Sequence, residues 1–230
     1  MPAPISIIIP TLRAENTIGP TLSSLAEGLT SGLIRELIIS EGGESAEMAE
    51  IADQAGAVFL TGPAGRGGQL QRAADTAVGD WLLFLHADTR LAPGWPEAVR
   101  RHLSEGERKA GYFRLRFDAK GIAPAFIAHW TNLRARMFGL PFGDQGLLVP
   151  RQLYDKAGGY RNMPLMEDVA LVRALRGNLR AIAHPAETSA IRYRREGWCR
   201  RGARNQWLLL RYFLGVSPET LAREYAARQG

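Results

Sequence analysis

The sequence predicts a single α/β domain with a mostly parallel central sheet and a helical C-terminal segment. Short apolar runs alternate with segments of helical periodicity, and this β-α-β order favours parallel strands. The 230 residues suit one α/β unit, and no linker, repeat or low-complexity segment divides them. With 46% hydrophobic and 23% charged residues, the chain can bury a sizeable core.

The first half of the chain contains the most regular pattern. Four apolar runs predict strands, at 5–9, 37–39, 57–60 and 81–85. Apolar residues at helical spacing predict the helices between them, at 18–29, 46–55 and 69–77, the last after the glycine-rich loop 62–68. Because the run 81–85 is continuously apolar, we expect it to form a central strand buried on both faces.

The second half shows shorter and less regular segments. Helical spacing predicts helices at 93–103, 122–138, 152–157, 167–175, 198–214 and 218–227. Strands are expected at 112–117 and 147–149, with two more short strands near Ile182 and at 191–193. The whole chain, 1–230, is therefore expected to form one domain.

The composition limits the classes of partner and the cellular setting. A net charge of +6 comes mostly from arginine, which suits phosphate-bearing partners, although an Arg-rich codon usage explains it equally well. The single cysteine, Cys199, excludes an intramolecular disulfide, and the cytoplasm is the expected location. No export signal and no apolar stretch of about 20 residues is visible, so no transmembrane segment is expected.

Polar residues that directly follow the predicted strands are the first candidates for ligand contacts, since ligands bind at the carboxyl ends of strands in open α/β sheets. Pro10 and Thr11 could contact a base, or simply end a strand. Glu41 could bind a base or ribose, or cap the following helix. Arg66 lies in a glycine-rich loop before a helix, where phosphate is favoured, but a surface turn is the plainer interpretation.

Carboxylates supply the candidates for chemistry. Asp88 follows the most apolar strand, where a divalent cation on a diphosphate would compensate its charge; the alternative is a turn cap. Glu167 and Asp168 open a helix, where acids are common for structural reasons, yet one of them could take a proton from a hydroxyl. Asp144 and Gln145 add an acid and an amide at a nearby turn.

Together these segments resemble family 2 glycosyltransferases of the GT-A fold, in particular short bacterial members. Segment 6–11 resembles the opening strand of the family, and 38–45 resembles its second strand with an acidic nucleotide contact. Segment 79–89 is the most specific, since it resembles the strand that carries the metal-binding Asp-x-Asp motif. Segments 141–146 and 166–168 are similar to the acceptor side of the family.

The resemblance implies a GT-A-like, Rossmann-like domain with nucleotide contacts in about 1–120 and acceptor contacts in about 121–230. Pro10, Thr11, Glu41, Arg66, Ala87 and Asp88 would bind the nucleotide of a nucleotide diphosphate sugar. Asp88 with His86 would hold Mn²⁺ or Mg²⁺, Asp144 and Gln145 would lie on the acceptor side, and Asp168, beside Glu167, would act as the general base of an inverting transfer. Two positions depart from the pattern: His86 replaces the first Asp of Asp-x-Asp, and Glu41 replaces the Asp of the second strand.

Several alternatives stay open. Segment 204–207 lacks the order Gln-x-x-Arg-Trp of polymerising members, which favours transfer of a single sugar. The rivals are a nucleotide-binding homologue with weak or no transfer activity, a nucleotidyltransferase, and a nucleic-acid-binding module, the last disfavoured because basic residues concentrate only in the C-terminal segment. The arginines in 192–211 could clamp a diphosphate or lie on the inner face of a membrane that holds a lipid-linked acceptor, but most are expected on a solvated helix face. A homodimer is also left open.

Overall fold

A single sheet forms the centre of the fold. In the structure, a computed structural model that describes residues 3–105 and 108–227, the strands are β1 Ile5–Thr11, β2 Ile34–Glu41, β3 Val58–Thr61, β4 Trp81–Phe84, β5 Thr89–Leu91, β6 Ala110–Phe117, β7 Leu147–Pro150 and β8 Leu179–Thr188. Their order across the sheet is β3-β2-β1-β4-β7-β6-β8-β5. Strands β1 to β4 are parallel to one another, β7 runs antiparallel between β4 and β6, and β5 runs antiparallel to β8. The predicted α/β fold with a mostly parallel sheet is confirmed.

Helices cover the sheet and form the C-terminal segment. They are α1 Gly19–Ser24, α2 Ala26–Thr30, α3 Ala46–Gln54, α4 Arg66–Thr76, α5 Trp95–Ser104, α6 Ile122–Phe138, α7 Arg151–Lys156, α8 Glu167–Ala174, α9 Ile191–Glu196, α10 Trp198–Phe213 and α11 Pro218–Ala227, with a 3₁₀ turn at Gly143–Gln145. None of the helices in the described residues is long and apolar enough to cross a membrane.

The core lies on both faces of the sheet because the central strands β1 and β4 are apolar at most positions. Ile7 and Ile9 of β1 pack into one apolar cluster, while Ile8 packs into the other with Leu82 of β4. Successive side chains of a strand point to opposite faces, so a continuous apolar run fills two cores at once. This confirms the predicted double burial of the strand at 81–84.

Strand β1 continues past its proline to Thr11. Pro10 pairs with Ser40 of β2, whereas the pairing of β1 with β4 ends at Ile8 and Phe84. Proline lacks a backbone N–H, but beyond the end of β4 no neighbouring strand needs that donor. The end of β1 is therefore free to face a ligand.

One strand predicted in the second half is wrong. Residues 191–193, expected as a strand, begin helix α9, because Ile191 is exposed while Tyr193 packs its ring against Phe117 and Trp198. The strand expected near Ile182 is the ten-residue β8. The short strand β5, directly after the turn at Asp88, was not predicted.

Candidate active site

Two clefts open at the carboxyl ends of the parallel strands. The first, called here the β1 cleft, is lined by five of the six predicted nucleotide contacts: Pro10, Thr11, Arg66, Ala87 and Asp88. The second, called the α8 cleft, is lined by the predicted acids of the second half, Asp144, Glu167 and Asp168. The two clefts share Arg66, His86, Asp88, Ser189 and Arg192, so they meet at these residues. The fold thus brings residues far apart in sequence to one opening.

Asp88 and His86 lie where the clefts meet. Asp88 Oδ1 is 4.0 Å from His86 Nδ1, and both side chains are largely buried. Burial lowers the pKa of His86 well below its usual value, and the charges of Arg66 and Arg192 lower it further. The imidazole is therefore neutral at neutral pH, the form that ligates metals.

This pair fits a hard divalent cation that takes its remaining ligands elsewhere. Mg²⁺ commonly takes one or two protein ligands and completes its shell with phosphate oxygens and water. No group of three or more His, Cys, Asp or Glu side chains suited to a metal occurs within the described residues. A cation here would therefore depend on a phosphate-bearing ligand for affinity.

Glu41 lies beneath the β1 cleft, whereas Gln69 is part of its wall. Glu41 ends β2 and is buried, and its Oε2 has no hydrogen-bond partner among the described residues. Gln69 of α4, which was not predicted, donates from Nε2 to the carbonyl oxygens of Thr11 (2.6 Å) and Ser40 (2.8 Å). It thereby fixes the ends of β1 and β2 together. The glutamine followed a glycine-rich loop, but no sequence signal distinguishes it from a surface residue.

Arg66 connects the two clefts at the first turn of α4. Its Nε lies 3.2 Å from Oε1 of the buried Glu167. Burial acts to lower the pKa of Arg66, but Glu167 and Asp168 outweigh it, and the net shift is upward. Burial raises the pKa of Glu167, against the attraction of Arg66. Glu167 therefore orients a guanidinium that is also near the helix N-terminus, where phosphate is favoured.

Asp168 is held in place by backbone donors. Oδ2 accepts a hydrogen bond from Gly143 N (2.9 Å), and Oδ1 accepts one from Val169 N (2.7 Å). The residue before the helix, Met166, has a φ of +67°. Non-glycine residues in this region are strained, and such strain concentrates at functional sites. The carboxylate thus faces the α8 cleft in a fixed orientation.

Asp144 lies in the same cleft next to a buried arginine. Burial raises its pKa from 3.8 to about 6, while Arg134 opposes the shift, and its Oδ1 has no hydrogen-bond partner in the described part of the chain. Arg134 of α6, which was not predicted, is buried and lies over the ring of Phe142, 3.4 Å from its centroid.

Gln145 lies outside both clefts. It is fully buried, donates from Nε2 to Phe113 O (3.1 Å) and accepts from Phe142 N at Oε1 (3.2 Å). Its position favours a supporting role for the turn that carries Asp144, rather than the direct acceptor contact that was expected.

The arginines of 192–211 divide into paired and unpaired groups. Arg201 and Arg204 pair with Glu196, and Arg211 pairs with Glu224. Arg192 lines both clefts and is exposed. Most of these arginines were expected on a solvated helix face; the buried Arg201 does not lie on one, and a phosphate contact stays a prediction.

The model of the glycosyl transferase family 2 matches residues 6–138, more than half of the chain. The chain belongs to this family. The match includes β1, β2, α4, β4 and the Asp88 turn, so it covers the wall of the β1 cleft. The predicted family is thereby confirmed.

Several solved structures share the fold of this chain. TarS of S. aureus in complex with UDP-GlcNAc is 14% identical, with a TM-score of 0.64 over 81% of this chain and 58% of that one. Glucosyl-3-phosphoglycerate synthase from Mycobacterium tuberculosis with Mn²⁺ and UDP-glucose is 20% identical, with a TM-score of 0.58 over 80% and 70%. Mannosyl-3-phosphoglycerate synthase from Rubrobacter xylanophilus is 16% identical, with a TM-score of 0.57 over 85% and 76%.

This member of the family is short beside some of its structural relatives. The chain spans 65% of a mycobacterial protein of known structure and 36% of the longer TarS structure. No curated protein sequence matches it.

Proposed function

We propose that the protein transfers a single sugar from a nucleotide diphosphate sugar to an acceptor hydroxyl, with inversion at the anomeric carbon and dependence on Mn²⁺ or Mg²⁺. One observation carries the proposal: buried polar atoms without partners concentrate around the two clefts. Among the described residues they include Thr11 Oγ1, Glu41 Oε2, His86 Nε2 and Asp144 Oδ1. Buried polar groups are nearly always paired in proteins, so a cluster of unpaired ones indicates a polar ligand.

The β1 cleft is the proposed donor side, in agreement with nucleotide contacts in about 1–120. Pro10, Thr11 and Ala87 would contact the nucleoside, with Glu41 below them. Arg66, supplemented by Arg192 from the second half, would neutralise the diphosphate. Asp88 and His86 would hold the cation, which, when bound, stabilises the charge of the departing diphosphate.

The α8 cleft is the proposed acceptor side, formed by residues of about 121–230. Asp168 is the proposed general base, because it lines the α8 cleft and its orientation is fixed by two backbone donors. The acceptor hydroxyl would lose its proton to Asp168 as its oxygen attacks the anomeric carbon, and the diphosphate would leave. Because a single base activates the acceptor hydroxyl, the proposed transfer is one direct displacement of the diphosphate. Glu167 would act indirectly, by orienting Arg66.

The proposed location is the cytoplasm. The single cysteine, which cannot form an intramolecular disulfide, is compatible with this location. The acceptor side could serve a hydroxyl on a soluble or a lipid-linked molecule.

The deciding experiment is calorimetric titration of the protein with UDP, GDP and their sugar conjugates, each with Mn²⁺ and with chelator. We expect one diphosphate to bind, and Mn²⁺ to tighten its binding. Asp88→Asn should remove the effect of Mn²⁺, because it takes away the carboxylate ligand. Equal affinity with metal and with chelator in the parent protein would refute the metal site, and no binding of any nucleotide would refute the donor site.

The base is tested with Asp168→Asn. We expect this variant to bind the nucleotide normally and to lose transfer, measured as diphosphate release in the presence of an acceptor. The matched control is Asp53→Asn, which replaces an exposed carboxylate on α3 by a carboxamide and should keep full activity. Unchanged turnover in Asp168→Asn would exclude it as the base. If the parent protein binds nucleotide but transfers no sugar to any acceptor tried, a nucleotide-binding homologue without transfer activity is favoured. If it releases pyrophosphate from a nucleoside triphosphate, a nucleotidyltransferase is favoured.

A further inference from the structure

Two helices outside the clefts expose large apolar side chains in stripes. On α6, the residues Ile122, Phe126, Trp130 and Met137 follow helical spacing, and Ile122 is 90% and Phe126 68% exposed. On α10, the residues Trp207, Leu210 and Leu214 do the same, and Trp207 is 53% exposed. The helices pack against each other, since a Cβ at Gly202 of α10 would lie 3.4 Å from Ile127 of α6. We refer to the exposed residues of these two helices as the α6–α10 surface.

The charges on the two helices themselves have one sign, and the nearby Glu196 and Glu224 are paired with arginines of α10. Neither α6 nor α10 contains an aspartate or a glutamate. Lys120 precedes α6, Arg136 is exposed near its end, and Arg200 is exposed on the first turn of α10. On a helical projection, Arg136 and Arg200 flank the two apolar stripes rather than lying on the opposite faces.

We propose that the α6–α10 surface docks on an anionic lipid bilayer. Apolar and aromatic side chains exposed on two helices that carry cations and no acids suit the boundary between headgroups and acyl chains. Tryptophan favours this boundary because its ring is apolar and its N–H is polar, and each helix supplies one exposed tryptophan. A second copy of the chain is a poorer occupant, since symmetric pairing would place arginines against arginines.

The position of the surface has a consequence for the acceptor. Helix α10 also supplies Asn205 and Leu208 to the wall of the α8 cleft. A bilayer on the outer face of α10 would therefore be separated from the α8 cleft by that one helix, a short distance for an acceptor carried on a lipid. This consequence, a lipid-linked acceptor hydroxyl, rests on the transfer function proposed above, whereas the docking itself does not.

The test uses vesicle sedimentation without any donor, so its result is separate from that of the nucleotide titration. The probes are vesicles of phosphatidylcholine alone and of an equal mixture of phosphatidylcholine and phosphatidylglycerol. We expect the protein to sediment with the mixed vesicles, to do so less at high salt, and to show a blue shift of tryptophan fluorescence. Trp81 and Trp95 are buried already, so the shift would report largely on the exposed indoles.

The double variant Phe126→Ser, Trp207→Ser should lower the apparent affinity for mixed vesicles roughly tenfold or more, since it removes one aromatic anchor from each helix. The matched control is Leu29→Ser, Val78→Ser, which removes two side chains of similar exposure, 60% and 59%, elsewhere on the surface. The control should bind vesicles like the parent. Both variants change exposed side chains, and an unchanged melting temperature checks that they fold.

Three results would overturn the proposal. The parent protein could fail to bind mixed vesicles, or the control could lose as much affinity as the double variant. Alternatively, light scattering could show a dimer that Phe126→Ser, Trp207→Ser converts to a monomer, in which case a second copy covers the surface.

Discussion

Replacement of Asp144 by asparagine should stabilise the protein at neutral and alkaline pH. The carboxyl group is buried in the α8 cleft, and its Oδ1 has no hydrogen-bond partner in the described residues. Burial raises its pKa from 3.8 to about 6, even though Arg134 and Arg66 act to lower it. Folding therefore favours the neutral form relative to the unfolded state, and asparagine imitates that form in shape and charge.

The sign and size follow from the difference between the folded and unfolded states. A carboxyl group whose pKa is raised on folding contributes fully to stability below its unfolded pKa, and this contribution is lost as the pH rises through the folded pKa. The window is thus from 3.8 to about 6. A difference of about two pH units corresponds to about 3 kcal/mol of unfolding free energy, as an order of magnitude. Asp144→Asn should match the parent near the acid end of the window and exceed it by up to that amount above the window.

Urea denaturation of both proteins at a series of pH values from about 4 to about 8 measures this difference. Chelator is required throughout, because a cation at the nearby Asp88 would alter the charge balance. Asp53→Asn, exposed on α3, is the control and should show no comparable trend. A difference that does not grow with pH, or a variant less stable than the parent at about pH 8, would refute the assignment of Asp144 as a buried, destabilised carboxylate.

Two further variants test the construction of the site. A Cβ at Gly67 would lie 2.2 Å from a backbone carbonyl oxygen of the loop before α8, so Gly67→Ala should destabilise the protein by about 1–3 kcal/mol in denaturation, whereas Gly19→Ala, with open space around it, should not. A destabilisation of Gly19→Ala as large as that of Gly67→Ala would contradict the close packing of α4. Arg192→Gln should weaken nucleoside diphosphate binding about tenfold by calorimetry, since it removes a cation from the junction of the clefts, while the exposed neighbour Arg195→Gln should have little effect. Equal losses of nucleotide affinity in Arg192→Gln and Arg195→Gln would indicate only a general effect of net charge.

The regular first half of the fold could be predicted because its central strands, β1 and β4, are buried on both faces. The run at 81–85 is apolar at every position, and the structure places β4 in the middle of the sheet. Helix α6 has the predicted bounds, 122–138. The insertion of β7 between β4 and β6 could not be predicted, since four apolar residues at 147–150 carry no information about their neighbours.

The prediction for the irregular segment at 191–193 was wrong for a different reason. A β-branched Ile191 before Tyr193 resembles a strand locally, but the ring of Tyr193 finds its partners in Phe117 and Trp198, and these contacts favour helix α9. Tertiary packing here overrides a weak local preference.

The same distinction applies to the site. Residues at strand ends, such as Thr11 and Asp88, could be predicted because the carboxyl ends of parallel strands share one edge of the sheet. Glu41 followed the same rule but lies beneath the cleft, because the chain folds Gln69 across the ends of β1 and β2. Arg134 could not be predicted, since it is one arginine within a helix, and its burial beside Asp144 depends on a segment that folds back later in the chain.

The C-terminal arginines show why composition alone could not identify a phosphate contact. Arg201 and Arg204 have the same chemistry as Arg192, yet Glu196 lies close enough to pair with both of them. Because Glu196 ends α9 and the two arginines lie on the first two turns of α10, the glutamate can reach them only after the chain turns at Gly197. Arg192 lies one helical turn before Glu196, whose two carboxylate oxygens are taken by Arg201 and Arg204, and it lies beside His86, so its charge is available at the junction of the clefts. The geometry of one short helix thus separates a phosphate-binding candidate from structural cations that the sequence presents as equivalent.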